Sequence, residues 1–405
     1  MINSPELLAP AGDWPSVKAA VAGGADSVYF GVKSINMRHL ATNFDALELS
    51  KVMDFLREHK RKGYLTLNTI LMDGDLAKAE NVLQEAKKAG VNAIILWDMA
   101  ALKMAKDLGL EIHLSTQASV ANYEALKFYQ GLGVKRVVLA RECTLDDITR
   151  IVQLKRRENL PCEIETFIHG AMCVSISGRC FLSQYSHGRS ANKGQCIQPC
   201  RREYLIKDVD QEAEFILGQD YVLSPKDLCT VDFIDELIKA GIDSFKIEGR
   251  MRSPEYIRVA VGVYRKAIDA FYEGKLDVPL KNELKEQLYT VYNRGFSTGF
   301  YFGQPQDAVS RTLEHEYEKV YIGEVMKFFK KINVAQIRLQ AADLNKGDIL
   351  IFIGKSTPAE FVTAEEIQKD NVFIDKAERG MHIGVKVPFN VNPRDKVYIW
   401  KRRIK

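Results

Sequence analysis

Four cysteines, Cys173, Cys180, Cys196 and Cys200, crowd into 28 residues of a 405-residue chain that holds seven in all. An even spread would put about 0.5 cysteine in such a window, so the clustering calls for a chemical reason. Reducing conditions keep cytosolic thiols free, and clustered thiols then point to a metal centre rather than to disulfides. Four thiolates are the donor set of structural zinc and of iron–sulfur clusters alike. A zinc knuckle brackets two to four residues; only Cys196 and Cys200 fit it, whereas Cys173 and Cys180 enclose six. The flanking Ser175, Ser177, Gly178, Gly194 and Gln195 are small or polar and let backbone amides approach sulfur. Spacing favours iron–sulfur over zinc and over unligated thiols. Cys229 is a fifth thiol near the site, and Cys143 and Cys162 read as ordinary buried cysteines.

Glu165 and His169 precede Cys173. Strand alternation puts residues 165, 167 and 169 on one face, where the two polar groups could handle protons or orient the cysteine loop. Glu248 and Arg250 share a face in the same way, as a reactive pair or a structural one. Arg179, Arg189, Arg201 and Arg202 offer forks for a small carboxylate or for RNA phosphates. Hydrolase signals are weak. No His-Glu-x-x-His occurs, and Gly295-Phe296-Ser297-Thr298-Gly299 lacks the strand before it and the helix after it that a nucleophile elbow needs. A Cys173–His169 protease pair would leave three cysteines unexplained.

Eight short apolar runs alternate with amphipathic stretches: Leu7 to Pro10, Ser27 to Phe30, Leu65 to Asn68, Ala93 to Leu96, Ile112 to Ser115, Arg136 to Leu139, Ile164 to Phe167 and Phe245 to Glu248. Helices are expected between them, among them Ala46 to Lys62, Leu76 to Ala89, Leu145 to Arg157 and Val231 to Ala240. Repeated βα units of this kind predict an α/β fold, a TIM-like (β/α)₈ barrel, over residues 1–275. A cysteine-rich insertion at about 172–230 follows the seventh strand. Chemistry in such a barrel gathers at the C-terminal strand ends. Asn68, Gln117, Arg141, Glu165, His169, Glu248 and Arg250 stand there. The candidate catalytic residues are thus Glu165, His169 and Glu248, and the candidate substrate-binding residues Gln117, Arg179, Arg189, Arg201 and Arg250.

After the helix at Pro254 to Tyr272 a charged helical hairpin is expected, within a helical connector over 276–316. Short β-rich runs then predict a small C-terminal β-barrel over 317–405. Residues 311–405 hold 18 Lys and Arg against 13 Asp and Glu, whereas residues 1–310 hold 39 against 40. Lys327, Lys330, Lys331, Lys401, Arg402, Arg403 and Lys405 are the densest positive clusters, a footprint that suits a polyanion or a solubilising surface. With no basic n-region at the start and no apolar run near the length of a membrane span, the chain reads as soluble and cytoplasmic.

The run from Glu165 through His169 and Gly170 to Cys173, continued by Ser177-Gly178-Arg179-Cys180-Phe181-Leu182-Ser183, closely resembles the signature of the collagenase-like peptidase family U-32. Leu8-Ala9-Pro10-Ala11-Gly12, Ser115-Thr116-Gln117, Gly194-Gln195-Cys196, Ser224-Pro225-Lys226-Asp227-Leu228, Lys246-Ile247-Glu248-Gly249-Arg250 and Asn293-Arg294-Gly295-Phe296 match as well. The resemblance spans nearly the whole chain and is strongest to the tRNA-hydroxylating members. It implies an oxygen-inserting enzyme with a 4Fe-4S cluster on Cys173, Cys180, Cys196 and Cys200. It further implies prephenate as a small carboxylate co-substrate, and tRNA, at the wobble uridine of the anticodon region, as substrate. Other members hydroxylate 23S rRNA cytidine, or ubiquinone as a pair of chains, so a paralogous or identical partner subunit is compatible with the resemblance. Some relatives lack the cysteine equivalent to Cys200 and use one at the position of Cys229; this chain has both.

Overall fold

The computed structural model describes residues 4–33, 35–38, 41–202, 204–207, 210, 214–217, 225–303, 317–370 and 372–402. Arg403 and Lys405 of the basic tail, and 304–316 of the expected connector, lie outside them.

Near-continuous apolar runs form strands buried on both faces, as a parallel sheet under helices requires. They are β1 (Glu6–Pro10), β2 (Ser27–Gly31), β3 (Lys62–Leu67), β4 (Ala93–Leu96), β5 (Ile112–Leu114), β6 (Arg136–Val138) and β7 (Glu163–Gly170). A hairpin of β8 (Tyr204–Lys207) and β9 (Glu214–Leu217) lies in the insertion, followed by β10 (Asp227–Cys229), β11 (Ser244–Ile247) and β12 (Phe296–Ser297). Strands β1 to β7 pair in sequence order, and β11 pairs in parallel with both β7 and β1, closing eight parallel strands into a barrel. All eight coincide with the expected apolar runs. β10 runs antiparallel along the end of β7, and β12 is added beside β10.

The barrel is wrapped by α1 (Trp14–Ala22), α2 (Leu49–Glu58), α3 (Leu76–Ala89), α4 (Met99–Asp107), α5 (Tyr123–Gly131) and α6 (Leu145–Arg157). Side-chain caps start several of them: Asp13 for α1, Asp98 for α4, Asn122 for α5 and Thr144, with a reciprocal Asp147, for α6. The helix expected to reach Lys62 stops at Glu58, because Lys60 turns to φ 56° and Lys62 already pairs with Ser27 in the sheet. In the insertion lies α7 (Leu182–His187); α8 (Ile234–Ala240) and α9 (Pro254–Tyr272) complete the barrel. Among the described residues of the expected connector one helix, α10 (Val278–Thr290), stands where a hairpin was expected. No helix among the described residues is long and apolar enough to cross a membrane.

The C-terminal region holds β13 (Tyr317–Phe329), β14 (Val334–Leu339), β15 (Leu344–Asn345), β16 (Ile349–Ile353), β17 (Glu360–Thr363), β18 (Ile367–Lys369), β19 (Val372–Ile374), β20 (Lys376–Ala377), β21 (His382–Lys386) and β22 (Lys396–Arg402). Eight of them form an antiparallel sheet with β17 and β19 at its ends, folded over a core of its own that includes Ile322, Ile337, Phe352, Val385 and Val397. Lys319 of this sheet meets the buried Glu255 of α9 at 2.9 Å.

Candidate active site at the barrel mouth

The C-terminal strand ends surround a cavity of about 260 Å³, and Cys173, Cys180, Cys196 and Cys200 all line it. The insertion that carries them is tied at both ends by Arg201, which donates to Met172 O at 2.5 Å and to Pro225 O at 3.0 Å. Hydrogen-bond donors aim at three of the sulfurs. Ser175 N lies 3.4 Å from Cys173 Sγ, Leu182 N lies 3.3 Å from Cys180 Sγ, and Ser183 Oγ lies 3.9 Å from Cys196 Sγ. Such donors suit sulfur bound to metal. Burial pushes the Cys200 thiol up, and the proximity of Cys173, Cys196 and Cys180 adds to it against the opposing charge of Arg201. Among the described residues no three Cys, His, Asp or Glu side chains converge on the geometry of one metal ion. The four thiols line one cavity, and four thiolates are the donor number that a zinc ion or a 4Fe-4S cluster takes.

Cys229 belongs to another environment. It sits on β10, buried, with Tyr264 Oη donating to its sulfur at 3.8 Å, and burial pushes its thiol up to about 11. It does not line the cavity. Cys143 and Cys162 are likewise buried away from it, and burial pushes both to about 12.

His169 and Glu165 do not share a face. The β7–β11 register runs from Phe167 opposite Lys246 to His169 opposite Ile247, leaving Ile168 as an extra residue. This bulge reverses the alternation. Phe167 still lines the cavity, whereas His169 packs outward among the rings of Tyr256, Tyr264 and Phe296 at 5.8, 5.4 and 5.7 Å. Burial, helped by Arg252, pushes His169 down to about 3, so it is neutral and removed from the lumen. Glu165 points inward but below the cavity, where it is committed to Lys246 at 2.8 Å, Ser244 at 3.1 Å and Arg136 at 3.2 Å. Burial raises its pKa, but these cations, Lys246 foremost, outweigh burial and keep it ionised. It anchors the lysine above it.

Glu248 does face the cavity. Its partner is not Arg250 but Arg38, whose Nη2 and Nε donate at 2.7 and 3.2 Å, and Tyr29 Oη donates to it at 3.3 Å. Burial alone would raise this carboxyl; Arg38, Arg141 and Arg250 outweigh it and hold it down to about 2. Arg250 donates instead to Asn36 and Thr66 at 3.1 and 2.7 Å, and burial pushes it down to about 10. Arg141 donates to Ala171 O at 2.7 Å and lies 4.0 Å over the Phe167 ring. Glu248 is matched by Arg38 and Lys246 by Glu165, while Arg141 and Arg250 hydrogen-bond no carboxylate among the described residues. The cavity thus keeps a positive surplus, which an anion would relieve.

Gln117 lines the cavity and accepts a hydrogen bond from the Ser115 hydroxyl. Arg201 lines it too, whereas Arg179 lies at its edge, donating to Ser119 Oγ at 3.1 Å beside Trp97. Arg189 is exposed at the end of α7, outside the cavity. Sequence reasoning missed Arg38, which comes from a loop without a motif, and Lys246. The lysine had a usable signal: alternation puts 246, 248 and 250 on one face. Ser297 of the Gly-x-Ser-x-Gly stretch is buried on β12, its Oγ accepting from Gly299 N at 3.3 Å, and is a turn element as expected.

The sequence model of Peptidase family U32 matches residues 12–311. A protein of Porphyromonas gingivalis named collagenase is 40% identical over 415 residues, covering 99% of both chains. The tRNA hydroxylation protein P1 of Bacillus subtilis is 34% identical over 390 residues, 94% of this chain and 91% of its own. The tRNA hydroxylation protein P of Helicobacter pylori is 34% identical over 327 residues, 78% of this chain and 75% of its own. The motifs of the cysteine segment, the closed barrel beneath them and the match across most of the chain agree: the chain belongs to peptidase family U32.

Proposed function

We propose that this chain is an RNA-modifying hydroxylase that converts the wobble uridine of tRNA to 5-hydroxyuridine, with prephenate as co-substrate. The observation that carries the reading is the barrel mouth in which four thiols, three of them with donors on their sulfurs, face two guanidiniums that hydrogen-bond no carboxylate among the described residues. Replacing hydrogen by hydroxyl at a ring carbon is a two-electron oxidation, beyond the reach of ordinary side chains. With water as the source of the hydroxyl oxygen, two electrons and two protons are released; a 4Fe-4S cluster on Cys173, Cys180, Cys196 and Cys200 would pass the electrons one at a time to prephenate as the acceptor. Arg141 and Arg250 are suited to the carboxylates of a small co-substrate, bidentate and always charged. Lys246, tethered by Glu165, and the ionised Glu248 are the proton-handling groups that face the same space. The names of the Bacillus subtilis and Helicobacter pylori relatives support an RNA substrate.

The name of the Porphyromonas gingivalis relative favours a second reading, a collagenase-like protease. Against it, Ser297 is buried in a turn and His169 faces away from Cys173, so neither forms an activated nucleophile among the described residues. Mass spectrometry of tRNA nucleosides from a strain lacking the gene and its paralogues tests the proposal. The wobble 5-hydroxyuridine should vanish, return with the wild-type gene and not return with Cys180→Ala. Its persistence in the deletion strain would overturn the reading.

A further inference from the structure

We infer that Phe181 and Tyr185, on the rim of the cavity, form a stacking platform for unpaired bases of single-stranded RNA; the inference rests on the RNA reading above. Residues 166–202 contain no Asp or Glu, although composition would put about five there. The same stretch carries Arg179, Arg189, Lys193, Arg201 and Arg202. Lys193 is matched by Asp75 at 2.7 Å, but Arg189 and Arg202 are exposed and meet no acidic side chain among the described residues. Beside them Phe181 is 65% and Tyr185 88% exposed, with ring centroids 6.3 Å apart and planes at 62°.

Scattered exposed apolar residues need no explanation, but two touching aromatic rings on an acid-free cationic segment do. Bases have apolar faces to stack and phosphates to pair, and proteins that hold unpaired strands combine these two features. A second copy of the chain would bring the exposed Arg189 and Arg202 against the same cations of its partner, which disfavours self-association through this face. An acidic peptide would use the guanidiniums and leave the rings open. The location fits a strand feeding the cavity, since Cys180 and Leu182, on either side of Phe181, both line it. An extruded base can enter while its neighbours rest on the rings.

The test uses the full-length, iron-loaded protein and a fluorescent anticodon stem-loop RNA, read by anisotropy across a salt series. Phe181→Ala with Tyr185→Ala should weaken binding roughly tenfold for each ring removed, while Phe181→Tyr with Tyr185→Phe keeps the affinity. Iron content and visible absorbance should match the wild type in both. Arg189→Gln with Arg202→Gln should lower the slope of log affinity against log salt by about 1.4, near 0.7 for each phosphate contact. Unchanged affinity in the alanine variant, with a wild type that binds, would overturn the platform and leave the proposed function standing. A wild type that binds no RNA would overturn both. A dimer in the wild type that becomes a monomer in the alanine variant, or loss of gelatin binding with RNA binding intact, would reassign the surface to those partners and overturn the inference.

Discussion

Cys200 and Cys229 lie 29 positions apart in sequence yet face different environments: one shares a cavity with three other thiols, the other is sealed against Tyr264. Anaerobically purified protein should therefore be brown, with about four irons per chain. Cys200→Ala should bleach it, and Cys229→Ala should keep both colour and iron; iron analysis and visible spectra check the pair. Glu248 permits a prediction about pH. Its folded-state pKa is depressed, so its stabilisation is present above the ordinary value of 4.5 and is lost as pH falls toward about 2. Thermal melts should show wild-type stability declining across that window, with a shallower decline in Glu248→Gln. At neutral pH the same variant should be destabilised by about 3 kcal/mol, because Arg38 loses its partner at 2.7 Å and stays partly buried.

Among the elements, β7 decides what faces the cavity. Its bulge at Ile168 sends Phe167 inward and His169 outward, and Gly170 then turns at φ 103° with no room for a side chain. A Cβ there would lie 2.5 Å from Glu248 O and 3.0 Å from Tyr256 Oη. Gly170→Ala should lower stability by about 2 kcal/mol, from backbone strain and the clash, and should loosen the cysteine loop that starts three residues on. Denaturant unfolding and iron retention check the two effects. The eight strands were legible because each holds a short, largely apolar run set between amphipathic stretches. The bulge was not, since one extra residue leaves no mark on an apolar pattern. The same blindness misplaced His169. Arg38 was hidden because a loop side chain reaching Glu248 across 210 positions has no local signature.

At the scale of the molecule, the positive surplus of residues 311–405 and the acid-free cysteine segment lie in separate regions of the fold. Lys327, Lys330 and Lys331 are exposed at the β13–β14 hairpin, with Lys327 Nζ 5.0 Å from the Phe329 ring centre. Neutralising all three should reduce the salt dependence of tRNA binding by up to about 2 in slope and leave the iron content unchanged. An unchanged slope would assign the hairpin to solubility alone and leave RNA contact to the insertion. Domain order and the charge division were readable from composition, because burial and net charge are summed over many residues. The pairing of cations with carboxylates was not, because it depends on which strand ends face one another in the closed barrel. The most direct test of the account combines iron-loaded protein, unmodified tRNA and prephenate under anaerobic conditions, followed by nucleoside mass spectrometry. The predicted result is 5-hydroxyuridine at the wobble position, absent without prephenate and absent with Cys173→Ala. Unmodified tRNA from fully iron-loaded protein, with gelatin cleaved by the same preparation, would contradict it.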